Sequence, residues 1–116
     1  MSGFDADEAK KFLLERDRKE KEERENARKK LLEEVIAVLK EEFKDSSVEV
    51  YLVGSITRPF AFSSHSDVDI VLKNFNGDQF DIWTKLEKII GRSVEIILFE
   101  TCHFQEFVLK DGLKVI

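Results

Sequence analysis

One cysteine, one proline and five glycines in 116 residues leave few means to staple or punctuate this chain. With Cys102 alone, neither an intrachain disulfide nor a Cys-rich zinc site can form. Neither Pro nor Gly occurs from Asp5 to Lys44, so the first third lacks the two strongest helix breakers. No apolar run approaches the roughly 20 residues a membrane span requires. The start, Met1-Ser2-Gly3-Phe4-Asp5, lacks the basic and apolar blocks of a secretory signal. A soluble, cytoplasmic protein without membrane contact is the expectation. Excess positive charge is missing too: 24 acids stand against 19 Lys and Arg, a net charge of -5, which disfavours direct nucleic-acid binding. The length suits one compact domain and leaves no room for a second ordinary one.

What is present is a strong helical pattern, then a strand pattern. Residues 5 to 44 are rich in Glu, Lys, Arg, Leu and Ala and predict one long helix, or two with little between them. Leu31, Leu32, Val35, Ile36, Val38, Leu39 and Phe43 form an apolar stripe for packing. From Glu15 to Lys30 the only apolar residue is Ala27, while Glu15 with Lys19, Asp17 with Lys21, Glu20 with Arg24 and Glu25 with Lys29 sit at i,i+4. That stretch reads as a helix standing in water. The patch Phe12-Leu13-Leu14 lies about three turns beyond the stripe and is a candidate contact for another chain, including a second copy.

Val48 to Val53, closed by Gly54, reads as a strand, and Asp67 to Leu72 as a second. A turn at Lys73 to Asp78 precedes an amphipathic helix with Phe80, Ile82, Trp83, Leu86, Ile89 and Ile90, ended by Gly91. Ser93 to Phe99 reads as a third strand. A short helix around Phe104 to Leu109 and an apolar segment at Leu113 to Ile116 close the chain.

Alternation on a strand puts Asp67 and Asp69 on one face, where two carboxylates repel unless a cation sits between them. Mg²⁺ suits such a pair, because it prefers oxygen and is commonly held by one or two carboxylates plus phosphates. A solvated polar strand face is the plain alternative. Glu95 sits in Ser93-Val94-Glu95-Ile96-Ile97-Leu98-Phe99, where both alternating faces are otherwise apolar, so a buried strand is expected. A lone carboxylate there needs a partner, and facing Asp67 and Asp69 would supply one. An exposed strand end, or a pair with Arg92, would also accommodate it. Gly54-Ser55 directly after a strand permits close approach of backbone to phosphate, although Gly serves many ordinary turns.

In this order, Gly54-Ser55-Ile56-Thr57-Arg58, the intervening Pro59 to His65, Ser66-Asp67-Val68-Asp69-Ile70 and a later apolar strand with a central acid resemble the small nucleotidyltransferases of the DNA polymerase β superfamily. More narrowly, the length, the charged leading helix and Asp111-Gly112 resemble the minimal nucleotidyltransferases that act as antitoxins beside HEPN-domain ribonuclease toxins. The resemblance implies an α/β (α+β) nucleotidyltransferase fold, a small mixed sheet flanked by helices behind a long N-terminal helix. Residues 1–30 would be the charged helix and 31–116 the minimal nucleotidyltransferase domain. Asp67, Asp69 and Glu95 would be catalytic and hold Mg²⁺ or Mn²⁺, while Gly54, Ser55, Arg58 and Ser66 would bind the nucleotide. The implied reaction moves AMP from ATP to a tyrosine hydroxyl of the toxin; an inactive antitoxin neutralising by contact is the alternative.

Two positions depart from the family pattern. The third acid is usually Asp, and the extra methylene of Glu95 could shift its carboxylate by more than about 1 Å, enough to cost roughly 100-fold in rate. Pro59 stands where many members have Gly, and Phe60 and Phe62 add bulk. His65, Cys102 and His103 lack companion ligands, and Trp83 shares the apolar side of its helix with Leu86 and Ile90, so core packing explains it.

Overall fold

The computed structural model describes residues 6–116 and has an α+β architecture: three α-helices around a four-stranded mixed sheet. Helix α1 runs unbroken over Ala6–Glu42, as the absence of Pro and Gly requires. At about 1.5 Å per residue its 37 residues span roughly 55 Å, and the molecule measures 73 × 29 × 20 Å. Residues 10 to 24 are all exposed, so the outer half of α1 stands clear of the domain.

The sheet order is β3-β2-β1-β4, with β1 Glu49–Val53, β2 Val68–Lys73, β3 Val94–Leu98 and β4 Leu113–Lys114. Strand β1 pairs antiparallel with β2 and β4, while β2 and β3 are parallel. Parallel neighbours need a crossover, supplied by α2, Gln79–Ile90. Asp78 caps α2 by accepting from the Asp81 amide at 2.9 Å, and Gly91 ends it in the left-handed region at φ 77. The closing apolar segment becomes the edge strand β4, following α3, Gln105–Asp111.

The two sheet faces have separate cores. Val50, Leu52, Val68, Ile70, Leu72, Val94 and Ile96 meet Val35, Leu39 and Phe43 from α1 and Ile82 and Leu86 from α2. Tyr51, Val53 and Val71 meet Phe99 and Val108 on the other face. Trp83 packs against the first core, as its spacing implies, whereas Phe80 and Ile89 are exposed. On the second face, Glu49 bridges Lys73 and Lys114 from both neighbouring strands, at 3.5 and 3.1 Å. These cations, Lys114 first, hold its carboxyl below the usual glutamate range.

The charged half of α1 differs from expectation at Glu20, Glu25 and Arg28. Asp17 does pair with Lys21 at 3.1 Å, but Glu20 pairs with Arg16 at 3.4 Å. Glu25 and Arg28 are buried and bonded to each other. The water-standing stretch therefore ends before Glu25, because positions 25, 28, 32, 35 and 39 continue one face of the helix inward.

Candidate functional site

Strand alternation separates the two faces of β2, sending Val68, Ile70 and Leu72 into the α1/α2 core and Asp69 and Val71 to the opposite side. In the parallel register Asp69 lies beside Glu95, and in the antiparallel register beside Val53. Three strands thus meet at Asp69: the acid of β3 on one flank and the end of β1, with Gly54 after it, on the other.

Gly54 takes φ 80 and ψ -160, a region open essentially to glycine alone. Its missing side chain also makes space, since a Cβ there would overlap Oδ2 of Asp69. This contact ties the Gly-Ser turn to the Asp-x-Asp run physically. After Gly54 the backbone forms a single 3-10 turn, Ser55–Thr57, closed by the Thr57 amide and hydroxyl donating to Gly54 O at 3.1 and 2.8 Å.

The carboxylates crowd one another. Burial of Asp69, the negative charge of Glu95, a hydrogen bond between these two acids and the charge of Asp67 push the Asp69 pKa up to about 6. Asp67 directly precedes β2 rather than lying within it, and is exposed. Glu95 is also exposed, which corrects the expectation of a buried strand: β3 is an edge strand, so its second face is open to water. Its proximity to Asp69 holds; its confinement does not. Arg92 does not pair with it, but donates through Nη2 to Ser63, Ser64 and Ser66 carbonyls at 3.2, 3.3 and 3.0 Å, its guanidinium 4.6 Å over the Phe62 ring.

The remaining candidates divide. Gly54 and Arg58 line a cleft of about 740 Å³ with Arg28, Thr57, Phe107 and Asp111. Ser66 and Asp67 border a separate hollow with His65 and Arg92. The Ser66 hydroxyl accepts from the Ser63 amide at 3.1 Å and lies 3.2 Å from the Ser63 hydroxyl, so it shapes the loop that delivers Asp67. Ser55 opens the 3-10 turn, half-buried beside Gly54. Arg28, Glu25 and Arg92 were not singled out from sequence as site-forming residues. For the first two, the phase of the α1 stripe was the available signal.

Among the described residues no three His, Cys, Asp or Glu side chains form a ready-made metal cage. Asp69, Glu95 and Asp67 nevertheless suit a divalent cation that draws part of its shell from water and phosphate, because their mutual repulsion is what a cation relieves. The sign of the titration makes this testable. A carboxyl raised from 3.8 to about 6 by folding contributes stability that is complete below about pH 4 and lost as pH rises through 6. The metal-free protein should lose about 1 kcal/mol, roughly 4 °C in Tm, between pH 5 and 7.5, allowing for screening of this half-exposed group. Mg²⁺ should restore Tm at pH 7.5 and do little at pH 4.5, which thermal denaturation will show.

Among the described residues no helix is long and apolar enough to cross a membrane. No curated protein matches the chain. A family model described as poly(A) RNA polymerase, mitochondrial-like, central palm domain matches residues 9–110, from α1 to α3, and so takes in the whole carboxylate site and the Gly54 turn. It agrees with the nucleotidyltransferase superfamily implied by the motifs and does not reach the antitoxin branch. The chain belongs to this central palm domain family, a nucleotidyltransferase-type polymerase palm.

Proposed function

We propose that this palm is a metal-dependent nucleotidyltransferase using ATP, and that its acceptor is a tyrosine hydroxyl on a HEPN-type ribonuclease toxin. The observation carrying the chemistry is Asp69, seated in the space left by Gly54 and paired in register with Glu95 on the neighbouring strand. The acceptor oxygen would form a bond to the α-phosphorus as the bond to the β-phosphate oxygen breaks, pyrophosphate leaving with the electron pair. Glu95, next to Asp69 and open to solvent, would accept the hydroxyl proton. Gly54 and Ser55 would present backbone to the triphosphate, and Arg58 would bring positive charge from the cleft wall. Asp67, Asp69 and Glu95 would hold Mg²⁺ or Mn²⁺, which when bound neutralises phosphate charge and aligns the in-line displacement.

A protein acceptor fits the net charge of -5 and the exposed Phe12, Leu13 and Leu14 on α1. The family name favours an RNA 3′-hydroxyl instead. A contact-only antitoxin is the further alternative, favoured by the longer Glu95 side chain. The deciding assay incubates the chain with Mg²⁺ and labelled ATP, against a co-expressed neighbouring small helical protein and against pooled RNA. An adenylyl mass increment on a partner tyrosine, absent with Asp69→Asn, is the expected result. Extended RNA would replace the acceptor while keeping the chemistry. No transfer to either, with neutralisation intact in Asp69→Asn, would leave the contact-only role.

A further inference from the structure

The first half of the loop leaving β1, up to Phe60, is gripped at two points by side chains of α1. Arg28 Nη1 donates to Ile56 O at 2.7 Å, and the Phe60 amide donates to Glu25 Oε2 at 3.0 Å. Glu25 Oε1 in turn accepts from Arg28 Nε, so the two side chains form one bracket across successive helical turns. Both are deeply buried, 5% and 6% exposed. The hydrogen bond from Arg28, ahead of that from the Phe60 amide, holds the Glu25 carboxyl below its ordinary range.

A buried ion pair is seldom a net source of stability compared with apolar residues of equal bulk, so its presence calls for another reason. Two features of the loop supply one. Phe60 sits at φ 63, the left-handed region that bulky residues avoid, with its ring 68% exposed. No burial of that ring offsets the backbone conformation; the turn bond from the Ala61 amide to Arg58 O, at 3.2 Å, and the bond to Glu25 hold it. Arg28 also borders the 740 Å³ cleft alongside Gly54, Thr57 and Arg58. The bracket therefore fixes the two ends of the Ile56 to Phe60 segment, whose Thr57 and Arg58 line that cleft.

We propose that Glu25 and Arg28 are positioning residues that hold the loop from Gly54 to Phe60 in its nucleotide-binding shape, through Ile56 O and the Phe60 amide. This rests on the nucleotidyl-transfer reading. Because neither side chain belongs to the acid cluster, the bracket acts on nucleotide affinity more than on turnover at saturation.

The test uses the full chain and its acceptor, measuring KM for ATP, kcat, Tm and amide exchange over residues 56 to 60. Glu25→Leu/Arg28→Met replaces the pair with apolar bulk, and its Tm should stay within about 5 °C of the parent. Its KM for ATP should nevertheless rise roughly 10-fold, with kcat changed less than about 3-fold and exchange at 56 to 60 accelerated about 10-fold. Arg28→Lys, which keeps the charge but not the fork, should fall between parent and double variant. A parental KM in the double variant would overturn the proposal, as would a raised KM that returns to the parental value on cooling. If the parent itself neither binds MgATP nor transfers nucleotide, the catalytic reading fails separately. Exchange at 56 to 60 then decides the bracket: acceleration in the double variant supports it, and parental exchange overturns it.

Discussion

Asp69→Asn is expected to stabilise the metal-free protein at pH 7.5 while slowing nucleotidyl transfer by at least about 1,000-fold. The two effects share one cause. Asp69 is half-buried between Glu95 and Asp67, and its ionised form is disfavoured enough to lift its pKa to about 6. At pH 7.5 the folded chain must hold that carboxylate charged, and an amide of the same shape removes the repulsion. The gain should be about 1 kcal/mol, or roughly 4 °C in Tm, after allowing for partial exposure. The same change removes the carboxylate at the centre of the acid cluster. Losing one preorganised charge-stabilising group costs about 4 kcal/mol at the transition state, the 1,000-fold quoted. Thermal melts with and without Mg²⁺, beside a transfer assay, check both. A variant less stable than the parent without metal would show that Asp69 serves the fold.

Gly54→Ala should damage stability and activity together. Its backbone lies at φ 80 and ψ -160, where any side chain costs roughly 1–3 kcal/mol, and its Cβ would overlap the Asp69 carboxylate. Asp69 must move, and a shift of about 1 Å is worth roughly 100-fold in rate. Tm should fall by up to about 10 °C. Gly91→Ala is the matched control. Gly91 is also left-handed, at φ 77, but a Cβ there meets nothing within 4 Å, and it sits at the end of α2. It should lose about 1 kcal/mol and leave transfer within about 3-fold of the parent. Equal loss of activity in both glycine variants would mean that general destabilisation, not displacement of Asp69, is responsible.

The fold was readable in sequence wherever periodicity carried it. The helix-forming run over residues 5 to 44, the run Val48 to Val53 and the α2 stripe ending at Gly91 each describe an element that forms at nearly those bounds. The acids were readable as types, and the pairing of Asp69 with Glu95 follows once β2 and β3 lie parallel. The solvent exposure of Glu95 was not, because a run such as Val94 to Leu98 looks alike in a central strand and at an edge. Only the strand order separates those cases, and strand order is a long-range property. Glu25 and Arg28 are hidden for a different reason: their polarity matches the solvated stretch around them, and only their phase along α1 turns them inward. Position 28 precedes Val35 by two turns, and a charged residue on the core-facing line of a helix is the one to question.

The unbroken α1 also acts as a spacer of fixed length and angle. Leu13 lies 12 residues before Glu25, about 18 Å along the axis, with no Pro or Gly between to bend it. Whatever the Phe12-Leu13-Leu14 tip holds is therefore held at a set rotational phase to the nucleotide loop. One residue inserted near Lys19 would swing the tip by about 100°, whereas seven would advance it about 10 Å and nearly restore its facing.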